Sequence, residues 1–224
     1  SMINRTRRKD IQDFCVRRTH TLETHFTEKQ KELHDELLSF ERIALSKLHD
    51  SRSVPFMMST IKRQAASCIF GLAPFIKDII NRRLGQIADD AGFDVEEFDL
   101  QAEVATINEL AQHVLELAEN LPEDDPKFDQ VYESIARKRE QPNNKIILFS
   151  TFRHTLAYVK KKLIEKGIRV EQIDGSVKDE TRWELRKRFE LPKEDDNAID
   201  MLLFTEVGSE GLDYQFCDMM INYD

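Results

Sequence analysis

The sequence predicts an α/β fold: a helical N-terminal segment, then a parallel sheet with flanking helices. Three observations predict it. As far as residue 139, apolar residues recur at steps of three or four. From residue 145 onward, short continuous apolar runs replace that period, as strands buried on both faces require. These runs alternate with helical stretches at short spacing, the order that builds a parallel sheet through crossover helices.

The first helix opens on Thr27-Glu28-Lys29-Gln30, a capping box in which the Thr hydroxyl faces the first turn and Gln reaches back. Leu33, Leu37, Phe40, Ala44 and Leu48 follow on one face. Val54-Pro55 interrupts the period. A second helix is predicted over 57–70, with Ile61, Ala65, Cys68 and Ile69 inward and Gly71 as its stop. Pro74 suits the first turn of a third helix, running through Ile76, Ile79 and Ile80 to Leu84. Residues 85–103 gather Asp89, Asp90, Asp94, Glu96, Glu97 and Asp99 among few apolar positions, which reads as a solvated loop. A helix is expected over 104–119, a linker at 121–126 (LPEDDP), and a further helix over 128–139.

KIILF at 145–149 is the first strand. Leu156, Val159 and Leu163 mark a helix that Gly167 ends. Residues 168–173 form the second strand and Asp174-Gly175-Ser176 a turn. The helix over 178–189 is expected to place Trp183, Leu185 and Phe189 on its buried side. After a polar loop at 191–197, the third and fourth strands span 199–204 and 219–223.

Composition narrows the function. Of 224 residues, 40% are hydrophobic and 33% charged, and the net charge is -9. A dedicated nucleic-acid module is more often basic, although local patches bind phosphate on acidic proteins too. Cys15, Cys68 and Cys217 lie far apart, so no disulfide framework and no zinc site is expected. Reduced thiols point to an intracellular, cytoplasmic protein. No apolar run approaches the ~20 residues of a membrane span, so no membrane partner is expected. His20, His25, His34, His49, His113 and His154 show no ligand spacing, and no metal site is expected.

In an open parallel sheet, ligands bind beyond the C-terminal ends of the strands. After the first strand comes Ser150-Thr151-Phe152-Arg153, with hydroxyls, a ring, a guanidinium and the N–H groups of a helix start. That set suits a phosphate. After the second comes Asp174-Gly175-Ser176. After the third comes Thr205-Glu206-Val207-Gly208-Ser209-Glu210-Gly211, where glycines admit a ligand close to the backbone and Glu210 can accept from ribose hydroxyls. Each alone is an ordinary cap or turn. In order along one sheet edge, the three point to a binding site more strongly than any one alone.

These blocks carry a resemblance. KIILFSTFRHTL (145–156) resembles motif IV of the C-terminal RecA-like lobe of superfamily-two helicases, in the Swi/Snf-type DNA translocase branch. IDGSVKDETRWELRKRF (173–189) resembles that family's glycine-then-arginine block, with Gly175 and Arg182 at the marked positions. LLFTEVGSEGLDYQFCDMMINYD (202–224) resembles motif V and the strand after it. Ser209-Glu210 and Gln215-Phe216 are most similar to the bacterial branch that includes the RNA-polymerase-associated translocase RapA. Arg5-Thr6-Arg7-Arg8-Lys9-Asp10 resembles the basic stretch leaving a first lobe, and LETHFTEKQKELHDELL (22–38) the segment that enters the second.

The resemblance implies a RecA-like sheet that stops before its last, arginine-bearing motif. It divides the chain into an incoming segment at 1–26, a helical segment at 27–140 and a partial lobe at 141–224. ATP and Mg²⁺ would serve the intact protein, with none expected bound to this chain alone. A first lobe outside the sequence would supply the phosphate loop, since no GxxxxGK[ST] occurs. Gly208, Glu210, Gly211 and Asp213 would line the nucleotide side; Asp213 stands where many relatives carry Asn. Ser150, Thr151, Phe152, Arg153, Gly175, Ser176 and Thr205 would face the backbone of double-stranded DNA, with a nucleoprotein complex as a further partner. No catalytic group would lie within the chain, and no ATP hydrolysis by it alone is expected. Arg182 has a structural role as its alternative. Two other readings stay open: a helical protein-docking module on an inert α/β domain, and an RNA helicase lobe.

Overall fold

Four parallel strands form one sheet in the order β2-β3-β1-β4. They are β1 (Ile146–Phe149), β2 (Val170–Ile173), β3 (Met201–Phe204) and β4 (Met219–Asn222), in a computed structural model that describes residues 18–47, 53–81, 111–205 and 214–224. The strands are shorter than the apolar runs that predict them. Ile147 pairs with Leu202 and Met220, and the register runs without a slip to Phe149, Phe204 and Asn222.

Side chains alternate across the sheet, so its two faces carry separate cores. Ile146, Leu148, Met201 and Leu203 pack against α4 (Pro126–Arg139), through Phe128, Val131 and Ile135, and against α5 (Arg153–Glu165), through Leu156, Val159 and Leu163. Ile147, Leu202 and Phe204 pack on the other face against Leu185 and Phe189 of α6 (Asp179–Glu190). The arrangement is the expected α/β layering.

A third core lies in the helical segment. It joins α1 (Glu28–Lys47), α2 (Ser53–Ser67), α3 (Leu72–Asn81) and a helical stretch at 111–119. The capping box forms as expected. Gln30 N–H donates to Thr27 Oγ1 at 3.3 Å, and Thr27 N–H donates to Gln30 Oε1 at 3.0 Å. Leu33, Leu37, Phe40 and Ala44 are buried. Leu48, the 85–103 loop and the predicted helix start at 104 lie outside the described residues.

Three expectations need correction. The second helix begins at Ser53, four residues before the predicted start at Met57. Pro55 falls in its first turn, where a missing N–H costs nothing. It ends at Ser67, and Ile69–Gly71 continue as a 3₁₀ turn into α3. The linker at 121–126 supplies the N-cap of α4: Asp125 accepts from the N–H groups of Lys127 and Phe128, and Pro126 follows it. Trp183 is 55% exposed. It precedes Leu185 by two residues, a rotation of about 200° around a helix, so it faces away once Leu185 and Phe189 face inward.

Candidate nucleic-acid interface

The sheet register brings the strand ends to one edge. Ser150 N–H donates to Phe204 O at 3.1 Å, Thr205 N–H to Ile173 O at 3.4 Å and Tyr223 N–H to Phe149 O at 2.9 Å. Ser150, Asp174, Thr205 and Asp224 therefore lie beside one another beyond β1, β2, β3 and β4.

The turn between β1 and α5 is built around Asp224. Its Oδ1 accepts the Ser150 hydroxyl at 2.8 Å and the Ser67 hydroxyl at 2.6 Å, and its Oδ2 accepts Thr151 N–H at 2.6 Å. Burial pushes the Asp224 carboxyl up, but donation from Ser67, Thr151 and Ser150 outweighs it and holds the group below its usual value. Ser150 is buried, and its Oγ also accepts Phe152 N–H at 3.2 Å. Ser150 thus lies beneath the surface with its hydroxyl engaged inside the protein. Thr151 is exposed above it. Phe152, half-buried at the start of α5, meets Phe75 of α3 edge-on at 6.1 Å. Arg153 is largely exposed, with Nε 3.8 Å from Asp174 Oδ2.

The turn after β2 is held from within. Asp174 Oδ1 accepts both the hydroxyl and the N–H of Ser176, and its Oδ2 accepts Gln172 Nε2 at 3.1 Å. The Ser176 hydroxyl is the main cause holding the Asp174 carboxyl below its ordinary value; partial burial opposes it. Arg182 donates from Nε to Val177 O at 2.9 Å and from Nη2 to Asp174 O at 3.2 Å. Its guanidinium locks the turn to α6, the structural role. Gly175 and Ser176 remain exposed at the tip, while Thr205 is buried.

The edge therefore presents Thr151, Phe152, Arg153, Gly175 and Ser176, with Ser150 and Thr205 as their floor. Gly208, Glu210, Gly211 and Asp213, and the basic stretch from Arg5 to Lys9, lie outside the described residues. Among the described residues no cluster of His, Cys, Asp and Glu suits a metal ion, and no helix is long and apolar enough to cross a membrane.

Sequence reasoning missed the residues that join the helical segment to this edge. Ser67 Oγ lies 2.9 Å from Thr155 Oγ1, and Gln64 Nε2 donates to Thr155 Oγ1 at 3.1 Å. Lys127 Nζ donates to Ser67 O and lies 4.5 Å from the Tyr223 ring centre. Phe70 stacks on Tyr158 of α5 at 4.9 Å. His154 Nε2 lies 3.1 Å from Asp78 Oδ2, so this residue serves the join. Gly71 permits the approach: a Cβ there would stand 2.6 Å from Gln64 Nε2. Small polar residues on a helix read from sequence as ordinary, and only their distant partners give them meaning.

Known proteins share this architecture. Residues 126–224 match the helicase conserved C-terminal domain family. The chain is 25% identical over 224 residues to the uncharacterized ATP-dependent helicase YqhH of Bacillus subtilis (strain 168), covering 98% of this chain and 34% of that protein. It is 24% identical over 225 residues to Chromodomain-helicase-DNA-binding protein 9 of Mus musculus, covering 100% of this chain and 7% of that protein. The chain thus spans only a minor part of these relatives. Among solved structures, the Pyrococcus furiosus Hef helicase domain aligns with a TM-score of 0.52 at 19% identity, over 89% of this chain and 47% of that one. The C-terminal part of the Fun30 ATPase domain aligns with a TM-score of 0.53 at 15% identity, over 92% and 75%. The family match over 126–224 and the helicase relatives support a C-terminal lobe of a superfamily-two helicase, and the two solved structures share the fold of the parallel sheet and its covering helices.

Proposed function

We propose that this chain is the second-lobe part of an ATP-dependent DNA translocase of Swi/Snf type. Its strand-end edge would follow the phosphate backbone of double-stranded DNA. One observation carries this reading: the exposed turns with Thr151, Phe152, Arg153, Gly175 and Ser176 lie together on one sheet edge. Hydroxyls, backbone N–H groups and a guanidinium donate to phosphate oxygens without reading bases, which suits a motor that moves along any sequence. Strands and internally bonded turns hold these donors rigidly.

The motif blocks at 145–156, 173–189 and 202–224 support the Swi/Snf branch, and Ser209-Glu210 with Gln215-Phe216 support its bacterial members. The division into an incoming segment at 1–26, a helical segment at 27–140 and a lobe at 141–224 belongs to the same reading. Gly208, Glu210, Gly211 and Asp213 would line the nucleotide side of a cleft closed by a first lobe. ATP with Mg²⁺ would supply a phosphoryl group whose transfer drives movement.

A second reading has one observation in its favour. Ile43 of α1 and Phe56 of α2 are 44% and 48% exposed, two apolar side chains that a protein partner would cover.

Fluorescence anisotropy with a labelled duplex tests the proposal. The chain is expected to bind weakly, with a Kd of roughly 10⁻⁶–10⁻⁴ M at physiological salt, and to lose affinity as salt rises. Absence of binding at low salt, or binding that salt leaves unchanged, would contradict it.

A further inference from the structure

The cations near the β1–α5 turn differ in what engages them. Arg153 leans toward Asp174, at 3.8 Å. Lys127 donates to Ser67 O at 2.5 Å and covers the Tyr223 ring. Lys62 pairs with Glu41 at 3.0 Å. Arg63 is exposed on α2, and its guanidinium lies 5.7 Å from the centre of the Phe152 ring. Among the described residues no carboxylate pairs with it. The carboxylates of this region are engaged elsewhere: Asp224 with Ser67, Ser150 and Thr151, Asp174 with Ser176 and Gln172, Asp78 with His154.

The placement of Arg63 is fixed by the join beneath it. Gln64, the next residue, is fully buried and bonds Thr155; Ser67, one turn on, bonds Thr155 and Asp224. α2 is therefore tied to the start of α5, and a residue on its outer face projects beside Phe152. A guanidinium over an aromatic face keeps its outward N–H groups for another acceptor. The exposed neighbour is Thr151.

We propose that Arg63 is a DNA-phosphate contact at the mouth of the β1–α5 turn, so that the helical segment forms one wall of the nucleic-acid surface. The inference rests on the DNA-backbone reading of the sheet edge. It assigns the charge at that turn to a residue of the helical segment. Phe152 holds the guanidinium in place, and Arg153, drawn toward Asp174, contributes less. Affinity for duplex DNA should thus depend on a helix that sequence assigns to a different part of the chain.

Salt titrations of duplex binding test it on the full chain. Arg63→Ala should lower affinity about fivefold at low salt and reduce the slope of log K against log salt by about 0.9, the loss of one phosphate contact. Arg63→Lys keeps the charge and should retain the slope. Arg137→Ala removes an equal charge from the exposed end of α4 and should leave the slope unchanged. An unaltered slope in Arg63→Ala, an equal loss in Arg137→Ala, or a slope lost in Arg63→Lys would each overturn the assignment. A wild-type chain without salt-dependent binding would overturn the DNA-backbone reading, and Arg63 with it. A wild-type chain with the slope and an Arg63→Ala variant that keeps it would overturn Arg63 alone.

Discussion

The Ser67 hydroxyl donates to Asp224 Oδ1 at 2.6 Å, across 157 positions of sequence. This contact ties the end of α2 to the end of the sheet's edge strand. Ser150 and Thr151 share the same carboxylate, so the helical segment and the β1–α5 turn are held by one anion. Ser67→Ala removes one of the three donors to that carboxylate. It should cost about 1–2 kcal/mol, a fall in Tm of roughly 2–8 °C for a chain of this size, read by thermal unfolding. An unchanged Tm would remove Ser67 from the join.

Gly71 and Gly167 should respond to alanine for different reasons. A Cβ at Gly71 would meet the Gln64 amide at 2.6 Å, and Gln64 is buried with its Nε2 on Thr155 and Cys68 O. Gly71→Ala should cost about 1–3 kcal/mol through that displacement. Gly167 has φ +72 and open space around a Cβ, so Gly167→Ala should cost about 1 kcal/mol from backbone strain alone. Asparagine, which tolerates this conformation, should recover part of the loss at 167 and none at 71. Denaturant unfolding of these variants checks both.

Acid should destabilise the chain in a defined window. Asp200 is buried and accepts Arg169 Nη2 at 2.7 Å, Arg169 Nε at 3.1 Å and Asn144 Nδ2 at 2.6 Å. Burial raises its carboxyl, and Arg169 and Asn144 reverse that to leave it below the usual value. Asp174 and Asp224 are lowered too. A carboxyl with a depressed folded pKa contributes stability above its unfolded value, near 4, and loses it as pH falls through the folded value. Tm should therefore fall on acidification below about pH 4. Asp200→Asn should lower stability at pH 7 by about 2 kcal/mol and flatten the acid limb. An acid limb unchanged in Asp200→Asn would contradict this account of the pair.

Much of the fold was legible because its signals are local. The capping box at Thr27 and Gln30, the doubly buried run at 146–149 and the αL glycine at 167 each need only their neighbours. Trp183 was misplaced because aromatic character suggests burial, whereas the phase of α6 is set by Leu185 and Phe189. The sheet edge was legible as well, since strand ends follow from the order of strands. Its internal division was not. Ser150 and Thr151 are adjacent and chemically alike, yet one is buried on Asp224 and the other exposed. Gln64, Ser67 and Arg63 carried no signal, because their partners lie far away in the chain.

Hydrolysis of ATP should be absent from this chain alone. It has no GxxxxGK[ST] phosphate loop, and a phosphoryl transfer site needs that cradle or an equivalent. Phosphate release should match the buffer background, with or without duplex DNA. Turnover above background that disappears in Glu210→Gln would contradict the split-cleft reading.

The most direct test is an amide NMR titration of the chain with a short duplex at low salt. The account predicts the largest shifts at Thr151, Phe152, Arg153, Gly175 and Ser176, with Asn144, Lys145 and Arg169 at the opposite end of the strands unmoved. Shifts centred on that opposite end, or on Ile43 and Phe56, would contradict a DNA-backbone surface at the strand ends.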